Sequence, residues 1–223
     1  MTGAAGTVRA LALRAPGAPA PVAVPQVEAL AAHGLAGDRH ADPRSPRQLL
    51  LAGVDVYEEL ALPAHLLREN LLLDIDTAGL ESGMLLRVGA AAVLRLSFQC
   101  EACGALTARL GKSAGSLAGR RGMLARVEVG GAVRAGDPVA ILDARRPALP
   151  EDWRQRVAMV LDAVPPGMAI GYADLAHVAG IQSSYCRAFP RVLAALGPAY
   201  AARALPARSG SSAPRWDGAG FYD

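Results

Sequence analysis

The sequence predicts an α+β protein of two domains, a barrel-like β unit over residues 1–146 and a small helical unit over residues 147–223. Three observations carry this reading. Short apolar runs recur through the first part, several bounded by glycine pairs or Gly-Asp turns, which is the punctuation of a barrel or sandwich. The stretch ARRPALPED (144–152) then brings charge and two prolines, and the texture of the chain changes. From Trp153 onward, apolar residues return at three- and four-residue spacing, the period of a helix face.

Taken in order, strands are expected over 8–13, 21–27, 71–75, 84–88, 91–98, 123–129 and 138–142. VEVGGAVRAGDP (127–138) carries a hairpin signal in its glycine pair and Gly-Asp turn. Two short helices, 53–60 and 102–110, interrupt the strands. In the second unit RQRVAMVLDAV puts Val157, Val160, Leu161 and Val164 on one helix face. PPGMAIGY reads as a turn, and YADLAHVAG as a short helix ended by Gly180. Ser183 or Ser184 is placed to cap a further helix running toward Leu196. Pro190 falls inside that helix and should kink or restart it, because proline suits a first turn and breaks an interior.

With 223 residues, 52% of them hydrophobic, the chain can bury a sizeable core. Charged residues at 19% exclude a disordered chain. No apolar run approaches the roughly 18 residues a spanning helix needs, so no membrane role is expected. The N-terminus MTGAAGTVRALALR has no export pattern, so the cytoplasm is the expected compartment. A net charge of +3 permits an anionic partner without requiring one. The charge is uneven: from residue 187 on, Arg187, Arg191, Arg203, Arg208 and Arg215 face only Asp217 and Asp223. Such a segment could follow a phosphate backbone or simply be a solvated arginine surface.

Two of the three cysteines, Cys100 and Cys103, sit in SFQCEACGAL (97–106). A C-x-x-C pair can be half a zinc site, a redox pair, a soft ligand for another metal, or two buried thiols. Four-ligand zinc would need partners from Cys186 and the scattered His33, His40, His65 and His177, which show no metal-ligand spacing. A reducing compartment weakens a disulfide. No G-x-G-x-x-G occurs, so the chain shows no nicotinamide or flavin fingerprint.

The ordered series GLAGDRHA (34–41), RQLLL (47–51), LRENLLLD (67–74), LESGMLLRVG (80–89), CEACGAL (100–106) and RRGMLARVEVGGAVRAGDPVAIL (120–142) resembles the MOSC domain, the module named for the C-terminal domain of molybdenum cofactor sulfurases. The resemblance covers about residues 7–142. It implies a mostly β, barrel-like fold and one cysteine that ligates the molybdenum of a pterin cofactor (molybdopterin) or carries sulfur. Cys103, followed by Gly104 and Leu106, fits that cysteine better than Cys100. Thiolate is the soft anionic donor such a metal accepts. The resemblance places Gly37, Asp38, Arg39, His40, Glu69 and Asn70 near the cofactor. Arg39, Arg47 and Arg120 or Arg121 are candidates for its phosphate, which guanidinium meets in paired bonds. Read without the family, Asp38 is equally a turn residue and Glu69-Asn70 the start of a strand with local hydrogen bonds.

VLDAVPPGMAIGYADLAHVAGIQSSYCRAFPRVLAAL (160–196) resembles the DNA-binding domain of alkylguanine-DNA alkyltransferases and alkyltransferase-like proteins, a winged helix-turn-helix. That resemblance implies DNA contacts from Tyr172, Ser183, Ser184, Arg187 and Arg191, with Tyr172 and Arg187 extruding a base. In the acceptor segment, LPARSG (205–210), Ala207 stands in the nucleophile's place, Arg208 in the histidine's and Ser209 in the arginine's. Alanine accepts no alkyl group, so this is not an active alkyltransferase. One extra residue before Arg187, and Pro190 where glycine is common, could also turn Arg187 from the groove.

The expected function is a molybdenum-cofactor enzyme, an oxidoreductase or sulfur carrier acting on N-hydroxylated or otherwise modified nucleobase-like small molecules. A partner protein would supply its electrons. The alternative is a damaged-DNA recognition module with a non-catalytic MOSC domain.

Overall fold

The structure, a computed structural model, describes residues 4–101, 106, 108, 117 and 119–223. The chain divides into two compact units: residues 1–42 with 47–149, and residues 43–46 with 150–223.

Eleven strands belong to the first unit: β1 (Ala4–Leu13), β2 (Val22–Val24), β3 (Gln26–Leu30), β4 (Gly34–Leu35), β5 (Leu49–Gly53), β6 (Leu71–Leu73), β7 (Met84–Val88), β8 (Ala92–Gln99), β9 (Met123–Val129), β10 (Gly131–Arg134) and β11 (Pro138–Arg145). Seven of them close into a barrel in the order β1-β11-β7-β8-β9-β5-β6 and back to β1. All the barrel pairs are antiparallel except β5 with β6. Residues two apart along the strands fill the interior: Leu49 and Leu51, Leu71 and Leu73, Leu86 and Val88, Leu94 and Leu96, then Met123, Ala125 and Val127. The period of two is the pleat itself. Helix α1 (Val54–Glu59) packs Val56 and Tyr57 with Ala52 and Leu67 in a separate apolar layer.

Several expectations are corrected here. The run 21–27 divides around Pro25 into β2 and β3, since proline has no N–H for the ladder. RQLLL contributes β5, a strand without apolar-polar alternation because every residue of it is buried. The 127–138 stretch is no hairpin. After β9, which pairs with β8 and β5, the chain changes sheets, and β10 pairs with β3 instead. Gly130 permits the switch, because a Cβ there would lie 2.9 Å from the carbonyl oxygen of Ala29. The expected helix over 102–110 falls largely outside the described residues.

In the second unit, α2 (Trp153–Asp162) is capped by Asp152, whose carboxylate accepts from the Arg154 N–H at 2.8 Å. Val157, Val160 and Leu161 form its inner face. β12 (Ala169–Gly171) leads into α3 (Tyr172–Val178), and Gly180 at φ +67° turns the chain away as expected. The helix expected from Ser183 or Ser184 begins as a 3-10 helix (Ser183–Ala188) after Gln182, without a side-chain cap. Pro190 then lies in the first turn of α4 (Phe189–Leu196), so the proline restarts the helix. After α5 (Pro198–Arg203), β13 (Ala204–Leu205) and β14 (Arg215–Trp216) flank β12, both parallel to it. These two strands therefore do not pair with each other as a hairpin wing.

Candidate functional site

Asp38 is the hub of the site in the barrel unit. GLAGDRHA folds as a turn in which the Asp38 N–H donates to Leu35 O at 3.0 Å. Gly37 takes φ +80° at the turn position that demands the left-handed region. The turn drives the Asp38 side chain inward, to 5% exposure. Its Oδ2 accepts from the Arg14 N–H at 2.9 Å and from Asn70 Nδ2 at 2.7 Å. Its Oδ1 accepts from the His40 N–H at 2.9 Å and meets His40 Nδ1 at 3.1 Å. Burial alone would raise the Asp38 pKa. The hydrogen bonds from His40 and the Arg14 backbone, with the Arg14 charge, outweigh burial and hold it at about 2. With Asp38 ionised, His40 Nδ1 carries the proton and Nε2 is left as acceptor. Burial, opposed by Asp38 and aided by Arg14, lowers the His40 pKa and favours its neutral form.

Asn70 joins this turn to the barrel. Its Oδ1 accepts the Leu50 N–H at 3.0 Å, and its Nδ2 also donates to Ala12 O at 3.2 Å. Asp38 and Asn70, 32 residues apart in the chain, are thus joined by a direct hydrogen bond. Glu69 points elsewhere. It is 1% exposed, accepts from Tyr57 Oη at 2.5 Å, and lies 2.9 Å from His65 Nδ1. Burial first, then the Glu69 charge, push the Tyr57 hydroxyl well above its ordinary range. The segment that delivers Glu69 holds three non-glycine residues in the left-handed region: Ala61 (φ 48°), His65 (φ 57°) and Arg68 (φ 64°). Such backbone persists only where its surroundings over-determine it. Here the Leu62 N–H bonds to Tyr57 O and the Leu67 N–H to Tyr57 Oη.

Cys103 lies outside the described residues. Cys100 is buried at the end of β8, its N–H bonded to Gly122 O at 2.8 Å. Among the expected phosphate ligands, Arg120 grips both oxygens of Glu59 at 2.8 and 2.6 Å. Arg121 is buried and donates to Glu101 O. Arg39 is exposed and its N–H donates to Arg14 O at 2.8 Å. Arg47 is half-buried on the approach to β5. No sequence signal marked Arg14, which follows β1 directly. It lies in electrostatic reach of Asp38, Arg68, Cys100 and Arg39. Among the described residues no cluster of three His, Cys, Asp or Glu could hold a metal ion.

In the second unit, Ser183, Ser184, Arg187 and Arg191 are exposed along one continuous segment. Tyr172 instead sets its ring edge-on to Phe189, centroids 5.3 Å apart, against the buried core. Cys186 Sγ contacts Tyr172 O at 3.4 Å, and burial pushes its thiol up, which suits packing rather than attack. Arg191 lines an apolar groove of about 440 Å³ with Trp153, Arg154 and Leu196.

The first unit is therefore a closed seven-stranded barrel with a hydrogen-bonded polar cluster at the foot of β1. The family model of the MOSC domain matches residues 48–140. Strand β1 and the Asp38 turn stand before the matched residues, and β1 closes the barrel by pairing with β11 and β6. Three solved structures share the fold. The YUAD protein from Bacillus subtilis is 17% identical, with TM-score 0.52, over 63% of this chain and 96% of that one. YiiM from Geobacillus stearothermophilus is 16% identical, with TM-score 0.51, over 84% of this chain and 99% of its own. A hypothetical protein is 22% identical, with TM-score 0.51, over 83% and 88%. No curated protein matches. None of the described helices is long and apolar enough to cross a membrane.

Proposed function

We propose that the barrel unit binds a molybdenum cofactor, with Cys103 as its thiolate ligand, and serves oxidoreductase or sulfur-carrier chemistry. The observation that carries the reading is the convergence of Asp38, Asn70, His40 and Arg14 in a barrel that matches the MOSC domain. The residues present suit an anionic pterin phosphate: Arg14 Nε is buried without a hydrogen-bond partner, and Arg39 and Arg68 add positive charge near it. When bound, the cofactor would supply the two-electron or sulfur-transfer step. The chain's own residues orient and protonate. Asp38 fixes the His40 tautomer, leaving Nε2 as a base at neutral pH, and Asn70 locks the turn to the barrel wall. An N-hydroxylated or otherwise modified nucleobase is the proposed substrate class, with electrons from a partner protein; the support is that a domain resembling a damaged-base binder shares the chain.

Molybdenum and pterin should co-purify with the protein from a cofactor-producing host, and Cys103→Ala should lose the molybdenum. A wild-type preparation free of both would end this reading.

A second reading concerns the second unit. The helix closed at Gly180 and the exposed Ser183, Ser184, Arg187 and Arg191 after it support helix-turn-helix contact with DNA. Binding to an alkylguanine duplex should fall with salt and drop about tenfold in Arg187→Ala, the loss of one charge-assisted contact. Equal affinity for intact duplex would leave only general electrostatics.

A further inference from the structure

Arg14 has a fixed backbone and an unmatched side chain. Its N–H donates to Asp38 Oδ2 at 2.9 Å and its carbonyl accepts the Arg39 N–H at 2.8 Å, so the residue is clamped on both sides by the 35–40 turn. Its Nε is buried with no hydrogen-bond partner. Among the described residues its guanidinium forms no salt bridge, although Asp38 is near. Asp38 cannot answer it, because four donors already fill the two carboxylate oxygens: the N–H groups of Arg14 and His40, Asn70 Nδ2 and His40 Nδ1. Arg39 and Arg68 bring more positive charge rather than relief. Burial, the main cause, and these like charges lower the Arg14 pKa to about 10 against the pull of Asp38 and Cys100. A half-buried guanidinium with an unbonded Nε and no salt bridge has hydrogen-bonding capacity that an incoming anion can satisfy.

We propose that Arg14 is the anion-receiving residue of the barrel site, holding a phosphate or comparable oxyanion through its free guanidinium edge. The inference deepens the molybdenum-cofactor reading by naming the residue for the cofactor's phosphate in place of Arg120, which is committed to Glu59. An anionic substrate group would use the same chemistry.

The test uses the full chain and inorganic phosphate, titrated at constant ionic strength and followed by calorimetry and thermal unfolding. Wild type should bind phosphate saturably and gain thermal stability. Arg14→Gln should bind at least tenfold more weakly, Arg14→Lys should keep part of the affinity, and Arg134→Gln, at an exposed arginine, should match wild type. Without phosphate, Arg14→Gln should be at least as stable as wild type, since it removes a guanidinium that makes no salt bridge and leaves Nε unbonded; a merely structural arginine would give the reverse. An unchanged phosphate response in Arg14→Gln, or a marked loss of its anion-free stability, overturns the proposal. Pterin analysis separates the sources. Arg14→Gln lacking both phosphate binding and pterin identifies the cofactor phosphate, and Arg14→Gln lacking phosphate binding but retaining pterin identifies a substrate anion. Phosphate bound through Arg14 in wild type that never carries pterin would sustain this proposal and sink the cofactor reading.

Discussion

Asp38 and Asn70 show how much a site depends on a few buried polar atoms. Asn70→Ala would strand the Leu50 N–H in the interior and take one of its two hydrogen bonds from Asp38 Oδ2, and should cost about 3 kcal/mol in chemical denaturation. The pH dependence follows from the same cluster. The folded state holds the Asp38 pKa at about 2, below its unfolded value, so its stabilisation is complete above about pH 4 and is lost as the pH falls toward 2. His40 also has a lowered folded pKa, so the unfolded chain takes up its proton first and stability falls as the pH drops below about 6.5. His40→Gln should flatten the upper part of that decline, and Asp38→Asn the lower part. A stability profile unchanged between pH 7 and 5 in wild type would contradict the His40 assignment. Tyr57→Phe removes a bond to buried Glu69 and should lower stability by about 2 kcal/mol, read in the same experiment.

At the scale of elements, the barrel relies on close backbone approach where β9 begins. Gly122 sits at φ +120°, and a Cβ there would fall 2.1 Å from Leu51 O on the neighbouring β5. Its own carbonyl anchors the Cys100 N–H. Gly122→Ala should destabilise the protein by about 3 kcal/mol and disturb the Cys100 end of β8, checked by denaturation and by thiol accessibility to a maleimide. Elements whose cues are local were legible in the sequence: the α2 face of Val157, Val160 and Leu161, the Gly180 stop, and the Pro190 restart. β5 was not legible, because a strand buried on both faces shows no alternation. The β9–β10 glycine pair looked like a hairpin, since local turn chemistry is silent on which sheet the next strand joins.

For the whole molecule, the apolar core that fills the barrel and the one that packs α2, α3 and α4 share no residue. Both tryptophans, Trp153 and Trp216, pack against the second core. Tryptophan fluorescence therefore reports on the second unit. Leu161→Ala, at a fully buried position, should cost about 3 kcal/mol and shift the tryptophan-detected transition. A fluorescence midpoint equal to that of wild type would refute this assignment of the second core.

The sequence by itself pointed to a change of texture near residue 146, the barrel-like character of the first part and the helical texture of the second. These depend on periodicity and glycine punctuation, both readable within a few residues. Family resemblance also led to the expectation that Asp38, Glu69 and Asn70 lie near one cofactor. Only the tertiary structure decided that Asp38 bonds to both Asn70 and the Arg14 N–H, that Glu69 turns instead to Tyr57 and His65, and that Arg120 is held by Glu59. Those contacts join residues 4 to 61 positions apart, most of them 12 or more, and follow largely from barrel closure and strand register, which no local rule encodes.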